Sequence, residues 1–224
     1  SDYATTITII PAPVVRPPQA PNWYTVSQDS GGEPKVRLFD DTGRERLALT
    51  VFEPEFTGGV RVATADVNGD GIPDLVVGTG PGRSTLVRVL DGRNGNELWA
   101  IEPFEAGFTG GVYVAAGDIT GDGLADIIIT PDEGGGPRVR VFDASGFLQI
   151  ADFLAIDDDA FRGGARPAVG DINNDGRADL IVAAGFGGGP RVAGYDGSRL
   201  GSTGGPKLFA DFFAFEESLR NGVF

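Results

Sequence analysis

Hydrophobic and polar positions along this chain alternate in short runs that keep returning. Pro137-Arg138-Val139-Arg140-Val141-Phe142-Asp143 sets valines on one side and arginines on the other, the two-residue period of a half-buried strand. Leu75-Val76-Val77 and Ile127-Ile128-Ile129 are continuous apolar runs, as strands buried on both faces require. Around the first of these, the pattern predicts four short strands, at about 61–67, 75–78, 85–90 and 97–104. No stretch carries a helical period of useful length. Four strands joined by tight turns make one antiparallel sheet.

The pattern is a repeat, and a repeat fixes architecture. Three signals recur in fixed order. An acidic loop begins at Asp66, Asp118 and Asp171, with starts 52 and 53 residues apart. A strand ending in aspartate closes at Asp40, Asp91, Asp143 and Asp196, spaced by 51, 52 and 53. An aromatic-glycine turn reads Phe56-Thr57-Gly58-Gly59, Phe108-Thr109-Gly110-Gly111 and Phe161-Arg162-Gly163-Gly164, with a degenerate copy at Leu219-Arg220-Asn221-Gly222. Three signals sharing one period of about 52 residues predict an all-β propeller of four-stranded antiparallel blades.

Counting gives about four blade equivalents. Complete units are expected at about 59–110, 111–163 and 164–215, a partial one at 22–58, and the start of another at 216–224. The partial unit opens on Tyr24-Thr25-Val26-Ser27, which aligns with a second strand, so a first strand is missing. The segment 1–21 holds the β-prone run Thr5-Thr6-Ile7-Thr8-Ile9-Ile10 and then a Pro-rich spacer. That run could supply the missing strand and close the propeller within the chain. A longer repeat array and a homodimer are the other two ways to cover the open edges.

The acidic loops carry the chemistry. In D-x-[NT]-x-D-G-x-x-D alternate side chains project to one side while the glycine allows a sharp turn. Positions 1, 3, 5 and 9 then offer side-chain oxygens and position 7 a backbone carbonyl. The expected ligands are Asp66, Asn68, Asp70, Ile72 and Asp74; Asp118, Thr120, Asp122, Leu124 and Asp126; and Asp171, Asn173, Asp175, Arg177 and Asp179. Hard oxygen donors in an irregular cage suit Ca²⁺, giving three sites. Thr120 is the weakest donor of the set. A solvated Asp-Gly turn would explain one such loop, but not three at one place in the repeat. Without a cation, carboxylates this close should repel and titrate high.

Charge sharpens this picture. The formal net charge is −14, from 32 acidic and 18 basic residues, a field that repels nucleic acid and anionic membranes. Three Ca²⁺ would bring it to −8. Cysteine and histidine are absent, which excludes disulfides, zinc–thiolate sites and nucleophilic triads. No apolar segment is long enough to span a membrane, so no membrane insertion is expected. Extracellular calcium modules bind at about 10⁻⁴ to 10⁻³ M, which places filled sites on a secreted or cell-surface protein.

The loops, together with Phe108-Thr109-Gly110-Gly111 and Phe186-Gly187-Gly188-Gly189-Pro190, resemble the FG-GAP/VCBS repeats of integrin α-subunit propellers and many bacterial surface proteins. The resemblance covers residues 22–224 and implies structural calcium in the blade loops and a role in adhesion or recognition. Family members often have seven blades; this chain has about four. The leading expectation is a non-catalytic, calcium-stabilised adhesion module gripping a protein or glycan through loops such as Gly134-Gly135-Gly136 and Gly187-Gly188-Gly189 beside Phe186. A carbohydrate-binding lectin-type propeller is the alternative, with Trp23 and Trp99 as the only tryptophans. A polysaccharide-active enzyme ranks last, since carboxylates outside the loops pair only in Asp157-Asp158-Asp159 and Glu216-Glu217.

Overall fold

The computed structural model describes residues 21–158 and 160–223. The β-prone run that could close the ring lies outside the described residues. Four antiparallel sheets follow one another along the chain. The first has three strands, β1 (Tyr24–Ser27), β2 (Lys35–Phe39) and β3 (Glu45–Thr50). The second holds β4 (Val60–Ala65), β5 (Asp74–Thr79), β6 (Val87–Leu90) and β7 (Glu97–Ile101). The third holds β8 (Val112–Gly117), β9 (Asp126–Pro131), β10 (Arg138–Asp143) and β11 (Leu148–Leu154). The fourth holds β12 (Ala165–Gly170), β13 (Asp179–Ala184), β14 (Arg191–Tyr195) and β15 (Lys207–Phe213). Among the described residues the one helical element is a 3₁₀ turn, Gly197–Arg199.

Each strand pairs with its neighbours in sequence, so every sheet is a simple meander. In every sheet the register between the last two strands slips just before the strand-ending aspartate, for example between Val89 and Leu90 and between Val141 and Phe142. Such bulges sharpen twist, which a blade needs. The sheets pack face to face through their inner strands, β1 on β4, β4 on β8 and β8 on β12. This is the blade arrangement of a propeller. Among the described residues no extended contact joins the fourth sheet to the first.

The apolar pattern now has its physical reason. Ile127 and Ile129 enter the core shared with the second sheet, while Ile128 enters the core shared with the fourth. Leu75 and Val77 face the first sheet and Val76 the third. A strand wedged between two neighbours has no wet face, hence the unbroken runs. The alternating strand divides its labour instead. Val139 and Val141 are buried towards the next sheet, while Arg140 turns back, bonds the Pro103 carbonyl and stacks its guanidinium 5.3 Å from the Phe104 ring centre. Arg88 reaches the Val51 carbonyl in the same way one seam earlier.

The aromatic-glycine turns are seam hardware. Gly59, Gly111, Gly164 and Gly222 all take left-handed φ, between +72° and +89°. A Cβ on Gly111 would lie 2.7 Å from the Gly80 carbonyl carbon of the preceding sheet. Only glycine permits that approach. The residue two places before each second glycine accepts a hydrogen bond from a loop glycine of the preceding sheet: Gly31 to Thr57 and Gly134 to Arg162 at 2.8 Å, Gly82 to Thr109 at 2.9 Å, Gly187 to Arg220 at 2.6 Å. Phe56 and Phe108 pack edge-on against Phe52 and Phe104 in the seams, as expected of core residues.

Candidate metal centres

Each acidic loop joins the first and second strands of a sheet, β4 to β5, β8 to β9 and β12 to β13. Its sixth residue is a left-handed glycine (Gly71, Gly123, Gly176) and so is its fourth (Gly69, Gly121), replaced in the third loop by Asn174 at φ +60°. Asparagine is among the few residues that tolerate this region. Two left-handed positions in six curl the backbone so that its N–H groups point inward.

Those N–H groups fix the carboxylates. Asp66 accepts from Gly69 (2.8 Å) and Gly71 (2.9 Å), Asn68 from Asp70 (2.9 Å), and Asp70 from Ile72 (2.8 Å). Asp118 accepts from Gly121, Asp122 and Gly123, and Asp122 from Leu124. Asp171 accepts from Asp175 and Gly176, Asn173 from Asp175, and Asp175 from Arg177. Positions 1 and 5 of every loop, and position 3 of the first and third, are thus held by backbone donors, with lone pairs left over for a cation.

The ninth position does something the motif does not announce. Asp74, Asp126 and Asp179 are fully buried. Asp126 accepts from Ile119 and Thr120 of its own loop and from Ala144 in the turn after β10. Asp74 does the same with Val67, Asn68 and Gly92, and Asp179 with Ile172, Asn173 and Gly197. Each carboxylate staples the loop to the neighbouring turn that follows the third strand of its own sheet.

Burial pushes the Asp74 carboxyl up to about 6, against the pull of three backbone N–H bonds, and the charge of Asp66 adds to the rise. Burial raises Asp126 likewise, with Asp122 contributing. Crowding of like charge is therefore the lesser cause. Asp175 moves the other way, because the Arg177 N–H steadies its ionised form.

Ligating oxygens of Asp175, Asp179 and Asp196 lie within 4.8 Å of one another, an acidic group able to hold a metal ion. Asp196 follows β14 directly and is not among the ligands expected from the loops; its signal is the aspartate that recurs after the third strand at one period. In the second loop the Thr120 hydroxyl is buried and has no hydrogen-bond partner. A buried hydroxyl oxygen wants a donor or a cation. All-oxygen donors, mostly carboxylate, with one orphaned hydroxyl fit a hard divalent ion.

Position 7 side chains leave the ring. The Leu124 side chain lies over Gly69 of the preceding loop, and that of Arg177 over Gly121. Outside the loops, Asp157 faces Lys207 at 3.6 Å and Arg191 at 4.0 Å, and Asp158 accepts from the Ala160 and Phe161 N–H groups. Glu216 and Glu217 are exposed, and Asp159 lies outside the described residues. Gly134, Gly135 and Gly136 line a cavity of about 290 Å³ over Phe104 and Phe108, and Phe186 is 53% exposed.

Comparison with known proteins agrees with this architecture. Integrin alpha-V of Gallus gallus is 31% identical over 164 residues, which cover 67% of this chain and 16% of that protein. The crystal structure of rhamnogalacturonan lyase YesW superposes with a TM-score of 0.50 at 14% identity, over 88% of this chain and 48% of that one. The Dos1 propeller gives 0.49 at 14% identity, over 84% and 44%. At 14% identity the YesW superposition speaks for the fold alone. The FG-GAP-like repeat profile matches residues 66–129 and 118–182, more than half of the chain, and the chain belongs to that family.

Proposed function

We propose that this chain is a calcium-stabilised, non-catalytic binding module of an exported or cell-surface protein, with one Ca²⁺ in each of its three acidic loops. The observation that carries the reading is the thrice-repeated loop, in which backbone N–H groups hold the carboxylates of positions 1 and 5, together with the one acidic group among the described residues whose oxygens converge, Asp175, Asp179 and Asp196. Asp66, Asn68, Asp70 and the Ile72 carbonyl would hold the first ion, with their counterparts at 118–124 and 171–177. The ninth aspartates would offer an oxygen to the ion, in the first and third loops in exchange for the bond each now accepts from the Asn68 or Asn173 side-chain amide, and Asp196 would join the third site. Bound there, calcium neutralises side chains that otherwise repel. It would clamp the loop that joins the first two strands of each sheet. Integrin alpha-V, the relative named above, supports recognition of a protein ligand. No helix among the described residues is long and apolar enough to cross a membrane.

The edges of the array need covering too. Tyr24 and Val26 on the first sheet, and Phe212 and Phe213 on the fourth, are each 45–51% exposed. The segment 5–10, further repeats or a second copy would cover them. Thermal unfolding with millimolar calcium and with excess chelator tests the reading. A saturated site contributes about 2.7 kcal/mol at a hundredfold excess over Kd, so the chelated protein should melt many degrees lower. Equal melting temperatures would remove the calcium reading.

A further inference from the structure

The first seam departs from the repeat. Tyr24 pairs with Phe39, as Leu75 pairs with Leu90, Ile127 with Phe142 and Leu180 with Tyr195. One residue earlier, Trp23 therefore stands where the other three sheets carry the buried aspartates Asp74, Asp126 and Asp179. The same inversion continues in the facing hairpin. Just before and just after the first residue of its last strand, the first sheet has Arg44 and Arg46. The second sheet has Asn96 and Leu98 there, and the third has Phe147 and Gln149. Residues that recur at one place in a repeat serve the fold. A clustered departure from the repeat is free to serve a ligand.

The departing residues meet. Trp23, Arg44, Glu45, Arg46, Ile72 and Arg93 line a cavity of about 350 Å³ between the first hairpin and the first acidic loop. Its rim carries three guanidinium groups on a protein whose net charge is −14. Arg46 lies 4.9 Å above the Trp23 ring and 3.6 Å from Asp40, and Arg93 pairs with Asp70 at 3.0 Å. Both are held in place by these partners. Arg44 is exposed and has no carboxylate within ion-pair distance among the described residues. Trp23 and Ile72 add apolar wall, and Glu45 adds an acceptor.

The geometry points to a binding site for a sugar acid, a pyranose ring bearing a carboxylate. The carboxylate would bond to the Arg44 and Arg46 guanidiniums, whose planar forks match it. The apolar C–H face of the ring would lie on Ile72 and against the edge of Trp23, and a ring hydroxyl would donate to Glu45. The cavity has the volume of a small-molecule site at the low end of the usual range. This inference deepens the reading of the chain as a binding module, and because Ile72 and the Asp70 partner Arg93 border the first acidic loop it is tested with calcium present.

Two tryptophans make the test simple. The indole N–H signals of Trp23 and Trp99 are followed by NMR in calcium-containing buffer, with Trp23→Phe assigning them, while glucuronate, glucose or acetate is added. Glucuronate should shift the Trp23 signal with millimolar affinity and leave that of Trp99 in place. Glucose and acetate should each bind at least about tenfold more weakly, and Arg44→Gln should weaken glucuronate by a similar factor at an unchanged melting temperature. An unmoved Trp23 signal overturns the proposal, as does equal binding of glucose or of acetate, or full affinity in Arg44→Gln. The chelator melt reports on the metal reading separately, so either idea can fail alone.

Discussion

The Ala125 backbone N–H donates to the carbonyl of Asp66 across the seam between the second and third sheets, at 2.9 Å. Ala178 repeats the bond to Asp118 at 2.8 Å. The eighth residue of one acidic loop thus anchors the first residue of the loop before it. Three loops that look independent in sequence form one chain of contacts. Their amides should show it: Ala125 and Ala178 should exchange with deuterium as slowly as the central strands β5 and β9, although they lie in loops. Fast exchange at either would show that the seam opens locally.

The buried ninth aspartate offers a sharper test. Asp126→Ala would orphan the N–H groups of Ile119, Thr120 and Ala144 in a dry site. Each orphan costs about 1–3 kcal/mol, so a loss of at least about 3 kcal/mol is expected in urea unfolding. Asp126→Asn keeps one good acceptor and should lose less. Equal, small losses would mean that the staple carries little weight.

Glycine substitutions separate seam contacts from plain turn geometry. Gly111→Ala meets the backbone of Gly80 and Pro81 as well as an unfavourable φ of +89°. Gly43→Ala has a similar φ, +79°, with open space around it. Alanine at Gly43 should cost about 1 kcal/mol, and at Gly111 roughly twice that or more. Matching losses would contradict the close approach of neighbouring sheets.

At high pH the protein should weaken through Tyr195. Its hydroxyl donates to the Ala155 carbonyl across the seam between the third and fourth sheets. Burial pushes the phenol up to about 12, helped by the nearby charges of Asp211 and Asp157. A group whose proton is held more tightly in the folded state stabilises fully below its unfolded value, near 10. That stability is lost as pH climbs from 10 to 12, and by linkage it amounts to about 2–3 kcal/mol. Tyr195→Phe should flatten the stability profile in this window. An unchanged profile would show that the hydroxyl ionises as freely folded as unfolded.

Much of this was legible in the order of residues. The period exposed the blades, and the Ile127-Ile128-Ile129 run announced a strand with two dry faces. Direction in space was not legible. Spacing shows that Asp126 recurs, but not that its carboxylate turns inward to three amides. The left-handed Asn174 stands where its two counterparts are glycine, so the alignment concealed a shared conformation. Asp196 lies 17 residues beyond Asp179 in sequence, and only the β13–β14 hairpin brings their oxygens together. Trp23 gained meaning once strand register aligned it with the buried aspartates.

The central claim is that three divalent ions sit in three cages. Equilibrium dialysis of the metal-stripped protein against millimolar calcium, followed by metal analysis, counts them directly. The account predicts three calcium ions per chain, and two for Asp122→Ala, whose middle loop loses a ligand. A count of zero at that concentration would contradict it.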